Sequence, residues 1–440
     1  MKVTLVYPSM GGKIRAAQME PLTMAALAGL TPKDIAISFW DDRIEEVPYD
    51  EPTDLAAISV QTFTAKRAYE IASEFRQRNV PVVLGGFHVS FMPEEALEYA
   101  DAVVIGEAEE LWPRVLEDLR KGSLQKIYRT EQTSSLLGLT YRREIFNGKR
   151  YLPVSLVEFG RGCPSACTFC SVSAFFHQRK RCRPVSEVIE EIRVLPHRTI
   201  LFVDDNLLGD RERARELFHA MIPLEKSWSA QTSIEITDDD DLLQLAADSG
   251  CYGLMIGFES LQEHNLRQMG KSAEYNRSNY ERSIRKIHAH GIKICASFLF
   301  GYDYDTRDSF ESTLAFAMEK KFLLGFFCHL TPFPGTAFYT LLESQKRLLW
   351  DKWWLSPGYR WGDVVFEPKN CSARELSEWC RGNRRMFYSG MSILRRMFLK
   401  ANARSLFASL MMNFLIRRDV FEKQGFLLGR NSFATDESSK

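Results

Sequence analysis

The sequence predicts an α/β protein: an N-terminal doubly wound parallel sheet, then a partial (β/α)6 barrel, then a mainly helical, basic C-terminal region. Three observations carry this. Short continuous apolar runs at 3–7, 35–40, 55–60, 80–84 and 102–105 are separated by amphipathic stretches at 21–30, 64–78 and 107–119. Strands apolar on both faces, alternating with helices, are the pattern of a parallel sheet covered on both sides. A second series follows, with strand candidates at 154–159, 200–203, 229–234, 253–258, 292–300 and 326–330. Six βα units in about 180 residues are too few for an eight-stranded barrel. Finally, eleven basic residues face two acidic ones between Arg381 and Arg430, a net charge of +9.

Each element has its local reason. Helical periodicity at 185–194, 211–221, 239–247, 275–290 and 306–320 places apolar residues on one face of each helix between barrel strands. The polar stretch 121–153, with the turn dipeptide Asn147-Gly148, is read as a linker with hairpin character. The domain boundaries are then 1–120, 121–153 (linker), 154–340 (barrel) and 341–440 (helical region with a polar tail). An aromatic belt, Trp350, Trp353, Trp354, Tyr359 and Trp361, opens the last region. Beyond it Leu394, Met397, Phe398, Ala401, Leu406, Leu410 and Phe414 fall near helical spacing, with Arg395, Arg396, Lys400 and Arg404 between them. Two readings apply: a helix packed on the barrel with a solvated basic face, or a membrane-surface patch or lid over an apolar substrate.

Lysine plus arginine equals aspartate plus glutamate at 57 each. That balance, with no RNA-binding appendage, gives no expectation of a nucleic-acid partner. The run 322–342 is uncharged but broken by Pro332, Pro334 and Gly335, so a strand and loop are expected there, with no membrane span. The N-terminus has no secretory pattern, and a cytoplasmic location is expected.

The chemistry concentrates at one loop. Cys163-Pro-Ser-Ala-Cys167-Thr-Phe-Cys170 places three thiols directly after the first barrel strand. In a reducing compartment such a cluster points to metal, not disulfides. Three thiolates bind three irons of a cubane and leave the fourth open. A structural zinc is the alternative, with His177 as fourth ligand, although the expected second Cys/His pair is missing. The other six cysteines stand alone and are read as small buried hydrophobes. Further strings close later strands: Asp204-Asp205-Asn206, then Gly257-Phe-Glu259-Ser260, then Gly301-Tyr302, then Pro332-Phe-Pro-Gly335. In parallel barrels, chemistry sits at these C-terminal strand ends. Asp204 and Asp205 can equally cap the helix that follows them.

The C-x3-C-x2-C loop and the ordered strand-end strings resemble the radical S-adenosylmethionine (SAM) superfamily. The domain in front resembles the cobalamin-binding domain found in one branch of it, and together the resemblance spans roughly residues 1–400. It implies a [4Fe–4S] cluster on Cys163, Cys167 and Cys170. It also implies SAM held by Phe169, Asp204, Asp205, Glu259 and Gly301, and cobalamin held near Ser9, Ser59, Thr62, Gly85, Gly86, Gly106 and Glu107. The first βα loop, Tyr7 to Gly12, lacks the aspartate-x-histidine-x-x-glycine string that ligates cobalt. His88 is read as an ordinary hydrogen-bonding histidine. The implied activity is hydrogen abstraction from an unactivated carbon with cobalamin-dependent methyl transfer to a lipid, tetrapyrrole or secondary metabolite. The implied electron donor is a flavodoxin or ferredoxin. The alternatives are a cyclase, oxidase or dehydratase whose N-terminal domain is empty, and a non-catalytic metalloprotein or cobalamin sensor.

Overall fold

A computed structural model describes residues 1–10, 18–130, 133–271, 277–403 and 405–423. Gly11, Gly12, Arg404, Arg430, the start of the helix expected at 275–290 and the polar tail, invoked above, lie outside them. Among the described residues the chain forms two units, Met1–Pro153 with Lys352–Trp361, and Val154–Asp351 with 362–423.

The first unit is built on six parallel strands: β1 (Lys2–Tyr7), β2 (Ala36–Asp41), β3 (Leu55–Ser59), β4 (Val82–Gly85), β5 (Ala102–Ile105) and β6 (Ile127–Arg129). Their order across the sheet is β2-β1-β3-β4-β5-β6. Strands β3 and β5 are buried along nearly their whole length, as expected where helices cover both faces. The helix Ala65–Gln77 turns Ala68, Tyr69, Ile71, Ala72 and Phe75 inward at helical spacing. The order reverses between β1 and β3. Such a switch point opens a crevice outside the carboxyl ends of the strands.

Residues 121–153 are not a linker. Strand β6 completes the sheet, and Tyr128, Leu136, Leu139 and Phe146 are buried. A Cβ on Gly29 would meet the Thr140 carbonyl oxygen at 2.0 Å, so the segment packs directly on the helix Leu22–Gly29. Asn147-Gly148 closes a 3-10 turn at Arg143–Phe146 with no hairpin around it. Polarity misled the sequence reading: an edge strand of three residues needs only one buried side chain in its middle.

Part of the aromatic belt also belongs to this unit. In the strap Lys352–Trp361 the Trp353 ring packs 5.7 Å from Phe63, and Trp361 packs 4.1 Å from it. The Trp354 indole donates to Glu95 at 2.9 Å.

The second unit holds six parallel strands in strict sequence order: Ser155–Val157, Thr199–Phe202, Ser227–Thr232, Cys251–Glu259, Lys293–Phe300 and Leu324–His329. This is the partial (β/α)6 barrel, with the intervening helices packed on one hydrophobic core. A two-stranded antiparallel ribbon, Gly160–Arg161 with Arg181–Cys182, brackets the cysteine loop. The periodicity did not announce it, because strands of two residues carry no period.

Candidate active site

The three cysteines follow the ribbon strand and precede the short helix Ser171–Phe175. Gly162 sits at φ 82°, and a Cβ there would meet the Arg179 carbonyl oxygen at 2.0 Å. Only glycine lets the loop turn away so close to the ribbon. The Gly162 amide donates to Asp205 Oδ2 at 2.9 Å. The middle of the loop is pinned as well. Thr168 Oγ1 bonds the Gln268 carbonyl at 3.1 Å and the Tyr302 hydroxyl at 3.0 Å, while the Thr168 amide donates to Met269.

All three thiols are half-buried. Burial pushes Cys167 up to about 11, with the charges of Cys170 and Cys163 acting in the same direction. Burial raises Cys170 too. Thiols in such a water-poor pocket ionise when they meet cationic metal, as cluster ligands must. Among the described residues, no three His, Cys, Asp or Glu side chains converge on one metal ion, and His177 is exposed. Three thiolates are the donor set that a cubane takes on separate iron corners, whereas a zinc site would need a fourth ligand and His177 points to solvent.

Glu259 ends the fourth barrel strand in the left-handed region, at φ 61°, where the pairing with the fifth strand slips register. A non-glycine residue held there is strained, and such strain concentrates at functional sites. Its carboxylate folds back over Gly257, where a Cβ would stand 2.1 Å from Oε1. That is the physical meaning of the glycine two residues before the glutamate. Lys271 Nζ bonds Glu259 Oε1 at 3.2 Å and the Gly257 carbonyl at 3.0 Å. Burial works against the Lys271 charge, but Glu259 and the thiols of Cys167 and Cys163 hold it protonated. The cysteine loop, Glu259 and Lys271 therefore form one electrostatic cluster. The sequence reading missed Lys271, which lies beyond the strand-end motifs on which that reading was built.

The other expected SAM contacts divide. Phe169 packs half-buried against the barrel core beside the last cysteine. Asp205 is raised to about 6 by burial, against the opposing pull of the Gly162 amide and Lys180. Asp204 is enclosed: its side chain is 0% exposed, Oδ1 pairs with Lys180 at 2.6 Å and Oδ2 accepts the Phe159 amide at 2.9 Å. Both oxygens are spent inside the protein, so Asp204 is a structural ion-pair partner. Asn206 provides the N-cap bond to the Leu208 amide at 3.2 Å and sets its amide 3.8 Å from Cys163 Sγ. Gly301, at φ 112°, makes room for protein: a Cβ would meet Phe366 at 2.8 Å and Leu376 at 3.0 Å. Its glycine is explained by packing, not by approach to a ligand.

In the first unit, several expected cobalamin positions line the switch point. Ser9 and Thr62 follow β1 and β3, and Ser59 ends β3. Ser9 is buried and donates to Asp42, which Arg67 grips through two further bonds. Thr62 Oγ1 lies 3.3 Å from His88 Nδ1, and His88 Nε2 lies 3.1 Å from Glu95. His88 is fully buried and makes ordinary hydrogen bonds, as expected. Gly85 has room for a Cβ, which would make ordinary contact with Val104 at 3.5 Å. Gly86 does not: at φ 110° a Cβ would stand 2.7 Å from the Val60 carbonyl oxygen. Gly106, also left-handed, donates its amide to Ser90 Oγ at 2.9 Å. Glu107 accepts the Ser134 amide at 3.2 Å. Gly85, which ends β4 beside Ser59 of β3 and carries no side chain, is the feature that fits a broad, flat group near the crevice.

Comparison with known proteins agrees with both units. The Radical SAM superfamily model matches residues 157–317, and the B12 binding domain model matches residues 18–116. The bacteriochlorophyllide d C-12(1)-methyltransferase of Chlorobaculum tepidum is 30% identical over 413 residues, covering 90% of this chain and 89% of that protein. In fold, the chain is similar to the cobalamin-dependent S-adenosylmethionine radical enzyme OxsB, with TM-score 0.67 and 14% identity over 97% of this chain and 73% of that one. It is also similar to the methyltransferase TsrM of Kitasatospora setae, solved with cobalamin and a [4Fe–4S] cluster, at TM-score 0.65 and 16% identity over 86% and 84% of the two chains. The chain belongs to the radical SAM superfamily, in the branch with an N-terminal B12-binding domain, and its cofactors are a [4Fe–4S] cluster, SAM and cobalamin.

Proposed function

We propose that the protein is a cobalamin-dependent radical SAM methyltransferase acting on a large, largely apolar small molecule of the tetrapyrrole or lipid class. The observation that carries this is the cysteine loop gathered with Glu259 and Lys271 at barrel strand ends, in a chain that also has a doubly wound domain with an open switch point. Cys163, Cys167 and Cys170 are the residues to hold the cluster. The cofactors, when bound, supply a hydrogen-abstracting radical and a transferable methyl group.

The chain's own residues bind and orient. Glu259 offers a charged acceptor to a bound nucleoside, and Lys271 fixes that carboxylate beside the thiols. Asp205 and Thr168 hold the cysteine loop in place. Gly85, at the end of β4 next to β3, adds no side chain beside the crevice that a flat ligand would enter. The reducing electron is expected from a flavodoxin or ferredoxin, and the substrate is expected to be met at a membrane surface.

The test is anaerobic. Protein produced with ample cobalamin and reconstituted with iron and sulfide is expected to carry about four irons and one corrin per chain. With SAM and dithionite it is expected to release 5′-deoxyadenosine. Comparison by mass of lipid and pigment extracts from a deletion strain and its parent is expected to show a product lighter by one methyl group in the deletion. Turnover by corrin-free protein that yields 5′-deoxyadenosine alone would replace methyl transfer with a cyclase, oxidase or dehydratase.

A further inference from the structure

The last long helix of the second unit, Leu406–Lys423, faces the wrong way for a soluble protein. Ser409 and Asn413 are buried on its inner face, in line with Ile416 and Val420. Lys293 Nζ donates to Ser409 Oγ at 3.1 Å, and Arg396 Nη2 donates to Asn413 Oδ1 at 2.9 Å. Leu406, Phe407, Met411, Phe414 and Leu415 are turned outward, with Phe407 81% exposed. The neighbouring helix Gly390–Met397 repeats the inversion. Its Arg396 is 1% exposed, stacks 3.9 Å over Phe387 and donates to the carbonyls of Phe322, Leu323 and Phe387. Met391 and Leu394 point out, and Phe398, just past its end, is 83% exposed. Soluble domains rarely leave so many large apolar side chains in one run of packed helices in water.

The same run of helices also carries basic residues that stay outside. Arg385, Arg395, Lys400 and Arg418 are exposed. Asp419 is the single acidic residue between 384 and 421. No helix among the described residues is long and apolar enough to cross a membrane. From these observations we infer that the face carrying Met391, Leu394, Phe398, Phe407, Met411 and Phe414 seats the enzyme on an anionic lipid surface, with Phe398 and Phe407 as the inserted anchors.

Charge decides the occupant. A two-fold contact with a second copy would press the same patch against itself and set these cations against their own images. An anionic leaflet instead offers hydrocarbon to the aromatic rings and phosphates to the arginines and lysine. The inference stands on exposed side chains alone and does not depend on methyl transfer.

Flotation of the full chain with vesicles tests it, using phosphatidylcholine alone against equal parts phosphatidylcholine and phosphatidylglycerol. The wild type is expected to float with the anionic vesicles and to lose several-fold in bound fraction between low and high salt, because exposed charge is screened. Phe398→Ser with Phe407→Ser is expected to lower binding at least ten-fold at any salt. Arg395→Glu with Lys400→Glu is expected to remove the preference for phosphatidylglycerol. Both pairs lie on the surface, so melting temperature, iron content and SAM cleavage are expected to match the wild type. Equal partitioning into the two vesicle types overturns the inference. So does a wild-type dimer, seen by light scattering, that the Phe398→Ser, Phe407→Ser variant dissolves. SAM cleavage is read in the same samples, so a failure here remains separate from a failure of the enzymatic reading.

Discussion

At the scale of single residues, the structure separates acids that look alike in sequence. Glu259 sits strained at a strand end, next to Lys271 and the thiols, whereas Asp204 is sealed against Lys180. The two predict different phenotypes. Glu259→Gln, whose amide oxygen can still accept from Lys271, is expected to keep the full iron content while weakening SAM binding. A lost charge-assisted hydrogen bond corresponds to about 1.5–3 kcal/mol, or roughly ten- to a hundred-fold in affinity measured by anaerobic titration. Asp204→Ala leaves Lys180, with a side chain 3% exposed, buried and unpaired. Breaking a buried pair in this way costs about 3–5 kcal/mol, so a large fall in melting temperature is expected first. Were Asp204→Ala to retain its melting temperature and lose only SAM affinity, the structural role assigned to Asp204 would be wrong.

At the scale of elements, the strap Lys352–Trp361 and the helix Pro93–Tyr99 are joined through one buried carboxylate. Burial works to raise Glu95, but bonds from His88, Trp354 and Lys352 outweigh it and hold the group at about 2, below its ordinary 4.5. A depressed carboxylate stabilises the fold above the unfolded-state value, and that stability is lost as the pH falls from about 4.5 towards about 2. At 1.36 kcal/mol per unit the contribution is on the order of 3 kcal/mol. The acid limb of the wild-type stability curve is therefore expected to be steeper in this window than that of Glu95→Gln, measured by urea midpoints. Parallel curves would show that the carboxylate's charge does not anchor the strap. The glycine pair after β4 gives a second contrast. Gly86 is required by the backbone itself, so Gly86→Val is expected to destabilise the domain with or without corrin. Gly85 has room for a Cβ, so Gly85→Val is expected to fold and still exclude the corrin, read as loss of its visible absorbance in purified protein.

At the scale of the whole molecule, the cysteines and the switch point are separable sites in separate units. Replacing Cys163, Cys167 and Cys170 together by alanine is expected to abolish iron binding and 5′-deoxyadenosine formation while leaving corrin content near one per chain, measured by metal analysis and absorbance. Loss of corrin along with the iron would show that the first unit cannot hold its cofactor alone. The wild-type melting temperature is expected to rise on loading with either cofactor, since a ligand that binds only the folded state stabilises it by mass action.

The sequence by itself determined the two parallel sheets, their order along the chain and the cluster loop. Hydrophobic periodicity and cysteine spacing are local quantities, written within a few residues. It also placed Glu259 at its strand end. What it did not contain was the partner of each charged group, because ion pairs and packing join residues far apart in the chain. Lys271 joined Glu259, Asp204 went to Lys180, and Gly301 made way for Phe366. The same reason decided which side chains of the C-terminal helices go inside. Arg396 and Phe398 alternate in sequence like any amphipathic pair, and only the carbonyls of Phe322, Leu323 and Phe387 decided that the arginine goes in and the phenylalanine stays out. A buried guanidinium is tolerated where several fixed acceptors replace its water, and that arrangement exists only once the distant strands have come together.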